Sequence, residues 1–186
     1  MMSKTIYLAR HGETEYNRLQ KITGQLDIPL NDVGLEQAMM MSLSLKDVYF
    51  DIIYCSPLKR SRQTVAEIKK FHKGVPVVFD SRLKECNAGV MEGESCTTMA
   101  DYTEKFTPRG GESFYHLRGR VRDFLTDQIY AKHFENILIV SHGGPIKVIR
   151  SFFENTDTLS EKEMSIKNAH YWIIKTDLKA LTIHMK

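Results

Sequence analysis

The chain has 186 residues, of which 42% are hydrophobic, 10% aromatic and 26% charged; this excludes a disordered or fibrous protein and points to one globular domain with a sizeable core. Its 26 Lys and Arg outnumber its 23 Asp and Glu by only +3, too little to indicate a nucleic-acid binder. Cys55, Cys86 and Cys96 show no Cys-x-x-Cys spacing, so neither a disulfide framework nor a zinc knuckle is indicated, and a reducing, cytoplasmic compartment is expected. The apolar residues before Arg10 are too few for a signal-peptide core, and no run approaches the roughly 18 apolar residues of a membrane span.

Thr5 to Ala9 is a short β-prone run that stops at Arg10-His11-Gly12, and it reads as a buried strand delivering polar residues to its carboxyl end. After a loop through Gly24 and Pro29, Asn31 or Asp32 caps a helix reaching about Lys46. Val33, Ala38, Met41 and Leu45 form its apolar face, and Met39-Met40-Met41 reads as core filling. Asp51 to Cys55 repeats the strand pattern, stopped by Ser56-Pro57 and followed by a helix from Arg60 to Phe71. Val75 to Asp80 is a third strand. Glu112 to about His133 is a long helix with a stripe of Leu117, Val121, Phe124, Leu125 and Gln128. Asn136 to Val140 is a fourth strand, stopped by Ser141-His142-Gly143-Gly144-Pro145 before a helix from about Ile146 to Glu154. Ala169 to Lys175 and Ala180 to Met185 read as a closing hairpin. Strands alternating with helices imply an α/β fold with a largely parallel sheet and helices on both faces.

In open α/β sheets ligands bind outside the carboxyl ends of the strands. Three strands here finish beside cationic or imidazole side chains: Arg10 and His11, then Arg60, then His142. Guanidinium forks match phosphate oxygens, so such a rim suits a tetrahedral dianion, and free N–H groups of the helix starts after Gly12, Pro57 and Gly143-Gly144 would add to it. The other histidines, His72, His116, His133, His170 and His184, lack this placement and read as structural. No Gly-x-Gly-x-x-Gly, Gly-x-x-x-x-Gly-Lys, Asp-x-Asp or Gly-x-Ser-x-Gly occurs, and no Cys has an Arg six positions on. Among nucleophiles for phosphorus, imidazole is left.

Leu8-Ala9-Arg10-His11-Gly12-Glu13-Thr14, with Asn17 following, resembles the Arg-His-Gly signature of the histidine phosphatase (phosphoglycerate mutase-like) superfamily. The resemblance continues through Thr23-Gly24, Leu30-Asn31 with Gly34 and Gln37-Ala38, Ser56-Pro57-Leu58-Lys59-Arg60 with Gln63-Thr64, and Leu83-Lys84-Glu85 with Gly89 and Glu92-Gly93. Gly111-Glu112-Ser113 and Val140-Ser141-His142-Gly143-Gly144 complete it, in the family's order over nearly the whole chain. It implies a single-domain three-layer α/β/α sandwich over 1–186 with a short cap at about 94–109. It also implies that His11 is the nucleophile, and that Arg10, Arg60 and His142 clamp the phosphoryl oxygens with Asn17 as a further donor. Thr23, Gly24 and Gly143 become substrate-binding positions. Glu85 becomes the general acid and base, with Glu92 and Glu112 as alternatives, because the residues around Gly89 and Met91 depart from the family's usual aromatic pattern. Glu13 is expected to orient neighbouring groups. No metal or cofactor is implied.

Phosphatase and mutase share a phosphohistidine and differ in whether water or a second hydroxyl receives the phosphoryl group. The sixteen residues from Glu94 to Arg109, which include Tyr102, Lys105 and Phe106, are a shorter cap than the mutases resemble, and the chain closes at Lys186 without a tail. Both features favour hydrolysis of a small-molecule phosphate ester, such as α-ribazole phosphate, a sugar phosphate or a phosphoglycerate. A cofactor-dependent phosphoglycerate mutase is the alternative. A catalytically silent phosphate-binding module is the third reading, disfavoured because His11, Arg10, Arg60 and His142 are all present.

Overall fold

The computed structural model describes residues 3–95, 107–154 and 166–177. Strand β1 (Ser3–Arg10) leads through a single helical turn, α1 (Glu15–Arg18), to helix α2 (Asp32–Leu45). Strand β2 (Ile52–Cys55), helix α3 (Lys59–Lys69) and strand β3 (Val77–Phe79) follow. Helix α4 (Phe114–Phe124) runs into a π-helical segment, Leu125–Tyr130, ahead of strand β4 (Asn136–Ser141), helix α5 (Gly143–Glu154) and strand β5 (Tyr171–Asp177).

The five strands form one sheet in the order β3-β2-β4-β1-β5, parallel except for β5, which runs antiparallel to β1. Alternation along the strands divides the core between two faces. Ile6 and Leu8 of β1, Ile52 and Tyr54 of β2 and Ile137 and Ile139 of β4 pack with Leu117, Val121 and Phe124 of α4 and Ile146, Ile149 and Phe152 of α5. Ala9, Ile53, Cys55, Leu138 and Val140 face the other way, against Met41 and Leu45 of α2 and Val65 and Ile68 of α3. The expected three-layer α/β/α arrangement is the one observed. No helix among the described residues is long and apolar enough to cross a membrane.

Several expectations are corrected by packing. Asn31 caps α2 through Gly34 N at 2.8 Å, but Val33 is exposed and Gly34 takes the inward place. Gly12 and Gly34 lie so close that a Cβ on Gly34 would collide with the Glu13 carbonyl, so the first turn of α2 rests on the loop after β1. Met41 is core at 3% exposure, whereas Met39 and Met40, at 45% and 61%, project outward. The long helix starts at Phe114 rather than Glu112, capped by Ser113. Its π turn, marked by Ala131 N bonding Thr126 O at 3.1 Å, moves the apolar stripe by one residue. Ile129 is therefore buried in place of Gln128, which accepts from the Tyr54 hydroxyl instead. The third strand shortens to three residues, and the second arm of the closing hairpin lies outside the described residues, as do Tyr102, Lys105 and Phe106 of the cap.

Candidate active site

Strand register brings the site together. β1 pairs with β4 so that Arg10 lies beside Ser141, and the next residues along, His11 and His142, stand with ring centroids 5.0 Å apart. β2 lies on the other side of β4, so its exit through Ser56 leads α3 in beside them and places Arg60 in the first turn of that helix. Three parallel strand ends supply two imidazoles and a guanidinium that is only 1% exposed.

Arg60 Nε points at both rings, 3.3 Å from His11 Nε2 and 3.1 Å from His142 Nδ1. A guanidinium only donates, so each of these ring nitrogens carries a lone pair. His11 Nδ1 lies 2.6 Å from the Gly12 carbonyl, an acceptor, and therefore bears the proton. The proton of His142 lies on Nε2, which donates to Ser56 Oγ at 2.7 Å. The rings thus hold opposite tautomers. Burial, then the Arg60 charge, holds both imidazoles well below their ordinary pKa, so both are neutral at neutral pH. Burial likewise lowers Arg60, to about 10. Its Nη1 and Nη2 donate to Leu26 O at 2.8 Å and Gly24 O at 2.9 Å, locking the fork to the loop after α1.

Arg10 donates from Nη1 to Ile166 O at 2.8 Å, while its Nε is buried without a partner. Thr23 Oγ1 is buried without one as well. A buried donor left unmade costs about 1–3 kcal/mol, and both atoms belong to residues expected to contact phosphate. Asn17 caps α1 reciprocally with Thr14, its Oδ1 accepting from Thr14 N at 3.0 Å; its Nδ2 is the group it has left for a ligand. Gly143 opens α5 directly after His142.

The three candidate carboxylates separate clearly. Glu85 accepts from Cys86 N at 2.9 Å and Gly144 N at 3.1 Å, and its charge is felt by both Arg10 and Arg60. A Cβ at residue 144 would stand 2.5 Å from its Oε1, so glycine there makes room for the carboxylate. Glu92 holds Gln25 N at 2.8 Å and Ala88 N at 3.3 Å; its charge also reaches Arg60, less strongly than that of Glu85. Glu112 pairs with Arg120 through contacts of 2.6 and 2.8 Å. Glu13 accepts from Asn31 Nδ2 at 2.8 Å and so steadies the cap of α2.

The free helix-start N–H groups expected from the sequence are largely taken. Gly12 N donates to Thr64 Oγ1, Lys59 N to Asp27 Oδ1 and Gly144 N to Glu85. Positive charge at the rim thus comes from side chains more than from helix ends. Sequence reasoning also missed the segment entering β5, where Asn168 and Ala169 hold the His11 carbonyl and Ile166 holds Arg10. Its signal was the closing strand itself, because an antiparallel neighbour of β1 must begin where β1 ends.

The family model described as histidine phosphatase superfamily (branch 1) matches residues 6–185. The chain belongs to that superfamily. Among its relatives is the bovine (Bos taurus) fructose-2,6-bisphosphatase TIGAR, 39% identical over 129 residues that make up 63% of this chain and 48% of the other; the chain spans about half the length of that protein. The probable phosphoglycerate mutase GpmB of Escherichia coli O1:K1 is 33% identical over 174 residues, 88% of this chain and 80% of that one. Among solved structures, the α-ribazole phosphatase from Shigella flexneri superposes with a TM-score of 0.81 at 27% identity, covering 91% of this chain and 89% of the other. Histidine phosphatase superfamily members similar to this chain therefore carry both phosphatase and mutase names.

Proposed function

We propose that the protein is a phosphomonoester hydrolase that acts on a small-molecule phosphate ester through a phosphohistidine at His11. The observation that carries this reading is the His11 imidazole, neutral, with Nδ1–H pinned to Gly12 O and the Nε2 lone pair beside Arg60. In the first step Nε2 attacks phosphorus, the N–P bond forms and the ester P–O bond breaks, and the departing alkoxide takes a proton from Glu85. In the second, the Glu85 carboxylate takes a proton from water as the water oxygen attacks phosphorus. The N–P bond breaks, releasing inorganic phosphate and restoring Nε2.

Arg60 and the unpartnered Arg10 Nε supply donors to the phosphoryl oxygens, with Thr23, Gly24, Asn17 and Gly143 around them. His142 meets an oxygen through Nδ1 only after gaining a proton. An arriving phosphate dianion favours that protonation, since a nearby negative charge raises an imidazole pKa. With two arginines providing the charge, the chemistry calls for no metal. The cap at about 94–109 is the proposed recognition element for the leaving alcohol. The three widely spaced cysteines, with no Cys-x-x-Cys among them, fit a reducing, cytoplasmic setting.

The test is phosphate release from a panel of sugar phosphates, phosphoglycerates, nucleotides and α-ribazole phosphate. Release should persist in a chelator and fall by about six orders of magnitude in His11→Ala, the scale seen when a nucleophile is removed. Undiminished activity in that variant would overturn the nucleophile assignment. Resemblance to GpmB keeps a phosphoglycerate mutase as the second reading. Isomerisation of 3-phosphoglycerate much faster than phosphate release would favour it.

A further inference from the structure

Asn168 stands outside every residue the motifs brought forward, yet its amide touches three parts of the site. It lies in the turn entering β5, and Nδ2 is 3.2 Å from His11 O, 3.3 Å from Gly12 O and 3.2 Å from Asn17 Oδ1. All three partners are acceptors: two are backbone carbonyls, and Asn17 Oδ1 already receives Thr14 N. Only an NH2 group can face three acceptors, sharing its two hydrogens among them, so the amide orientation is determined by chemistry. The adjoining Ala169, at φ 52°, sends its own N–H to His11 O at 3.0 Å. The turn is therefore shaped to face the nucleophile loop.

We infer that Asn168 is a positioning residue that fixes the nucleophile's tautomer and aligns the neighbouring Asn17 amide. Its action passes through the Gly12 carbonyl. That oxygen accepts His11 Nδ1–H on one side and Asn168 Nδ2–H on the other, so it is held where the imidazole must point to donate to it. Holding Nδ1–H leaves Nε2 as the lone-pair nitrogen. The third contact keeps Asn17 Oδ1 turned towards Thr14 and Asn168, which directs the Asn17 Nδ2 group away from them. One amide thus couples the nucleophile to a donor of the phosphate pocket.

The consequence for turnover rests on the phosphohistidine reading, whereas the effect on the tautomer does not. The test compares the full chain with Asn168→Ala and Asn168→Asp. Aspartate keeps the shape of the side chain and loses both N–H donors. In the unmodified protein, 15N spectra of the His11 ring should show a protonated Nδ1 and an unprotonated Nε2. Both variants should shift this towards a mixture of tautomers, and both should lower kcat by about 10- to 100-fold while KM changes less than threefold. Unfolding midpoints check that each variant is folded; should Asn168→Ala fail to fold, Asn168→Asp alone decides. A variant that keeps both the His11 ring signals and kcat overturns the inference, as does an Asn168→Asp protein indistinguishable from the unmodified one. If His11→Ala remains active, the phosphatase reading fails, and the ring spectra still decide the role of Asn168.

Discussion

Arg60 Nε faces Nε2 of one imidazole and Nδ1 of another, and a donor in that position excludes a proton from both. Burial and this charge lower the pKa of His11 and His142 below the ordinary value, close to 6.5. An unfolded chain protonates both histidines as pH falls through about 6.5, while the folded chain keeps them neutral to lower pH. More protons are then bound by the unfolded state, so the stability fully present above pH 6.5 declines on acidification. The unfolding midpoint should fall between pH 7.5 and 5.5, and His142→Asn should flatten that slope. A midpoint that rises over this interval would contradict the neutral pair. At this scale the sequence pointed to the strand ends at which His11, Arg60 and His142 meet. It was silent on tautomers, because a proton's position depends on partners such as Gly12 O and Ser56 Oγ that only folding brings near.

Among the elements, the described part of the segment carrying Glu85 has two short 3-10 turns, Ser81–Leu83 and Gly89–Met91, and is braced by α4. Arg120 of α4 donates to Arg82 O at 2.5 Å and Glu85 O at 3.0 Å, and its remaining contacts grip Glu112. Gln25 Nε2 adds a second donor to Glu85 O at 3.0 Å. Arg120→Met removes these largely shielded, charge-assisted bonds and should cost about 3 kcal/mol of stability. If Glu85 is the general acid, kcat should fall more than KM, as steady-state kinetics on the folded variant would show. An unchanged kcat would mean that the Glu85 backbone needs no brace. Periodicity predicted the helix containing Arg120 and most of its buried stripe. It could not anticipate the π turn, whose extra residue follows from how Leu125 and Ile129 fit beneath the sheet.

For the molecule as a whole, β4 is the spine of the site, flanked by β1 and β2 and buried on both faces. Ile139→Ala, at a position with no exposure, should destabilise the fold by about 2–5 kcal/mol in chemical denaturation. The KM of the folded fraction should be little changed, because Ile139 packs on the α4 and α5 side rather than at the strand ends. A large change in KM with little loss of stability would show that the rim is coupled to this layer. Local pattern was enough to reveal four parallel strands, their following helices and the polar residues at their ends. Those are properties of neighbouring residues, written in apolar alternation, caps and breakers. Tertiary structure alone decided that β1, β4 and β2 are neighbours in that order, that Glu85 rather than Glu92 or Glu112 stands beside the helix start at Gly144, and that Asn168 closes behind His11. Each of these is a contact between residues far apart in the chain, set by sheet register and by which buried donor finds which acceptor, and no local window of sequence contains both partners.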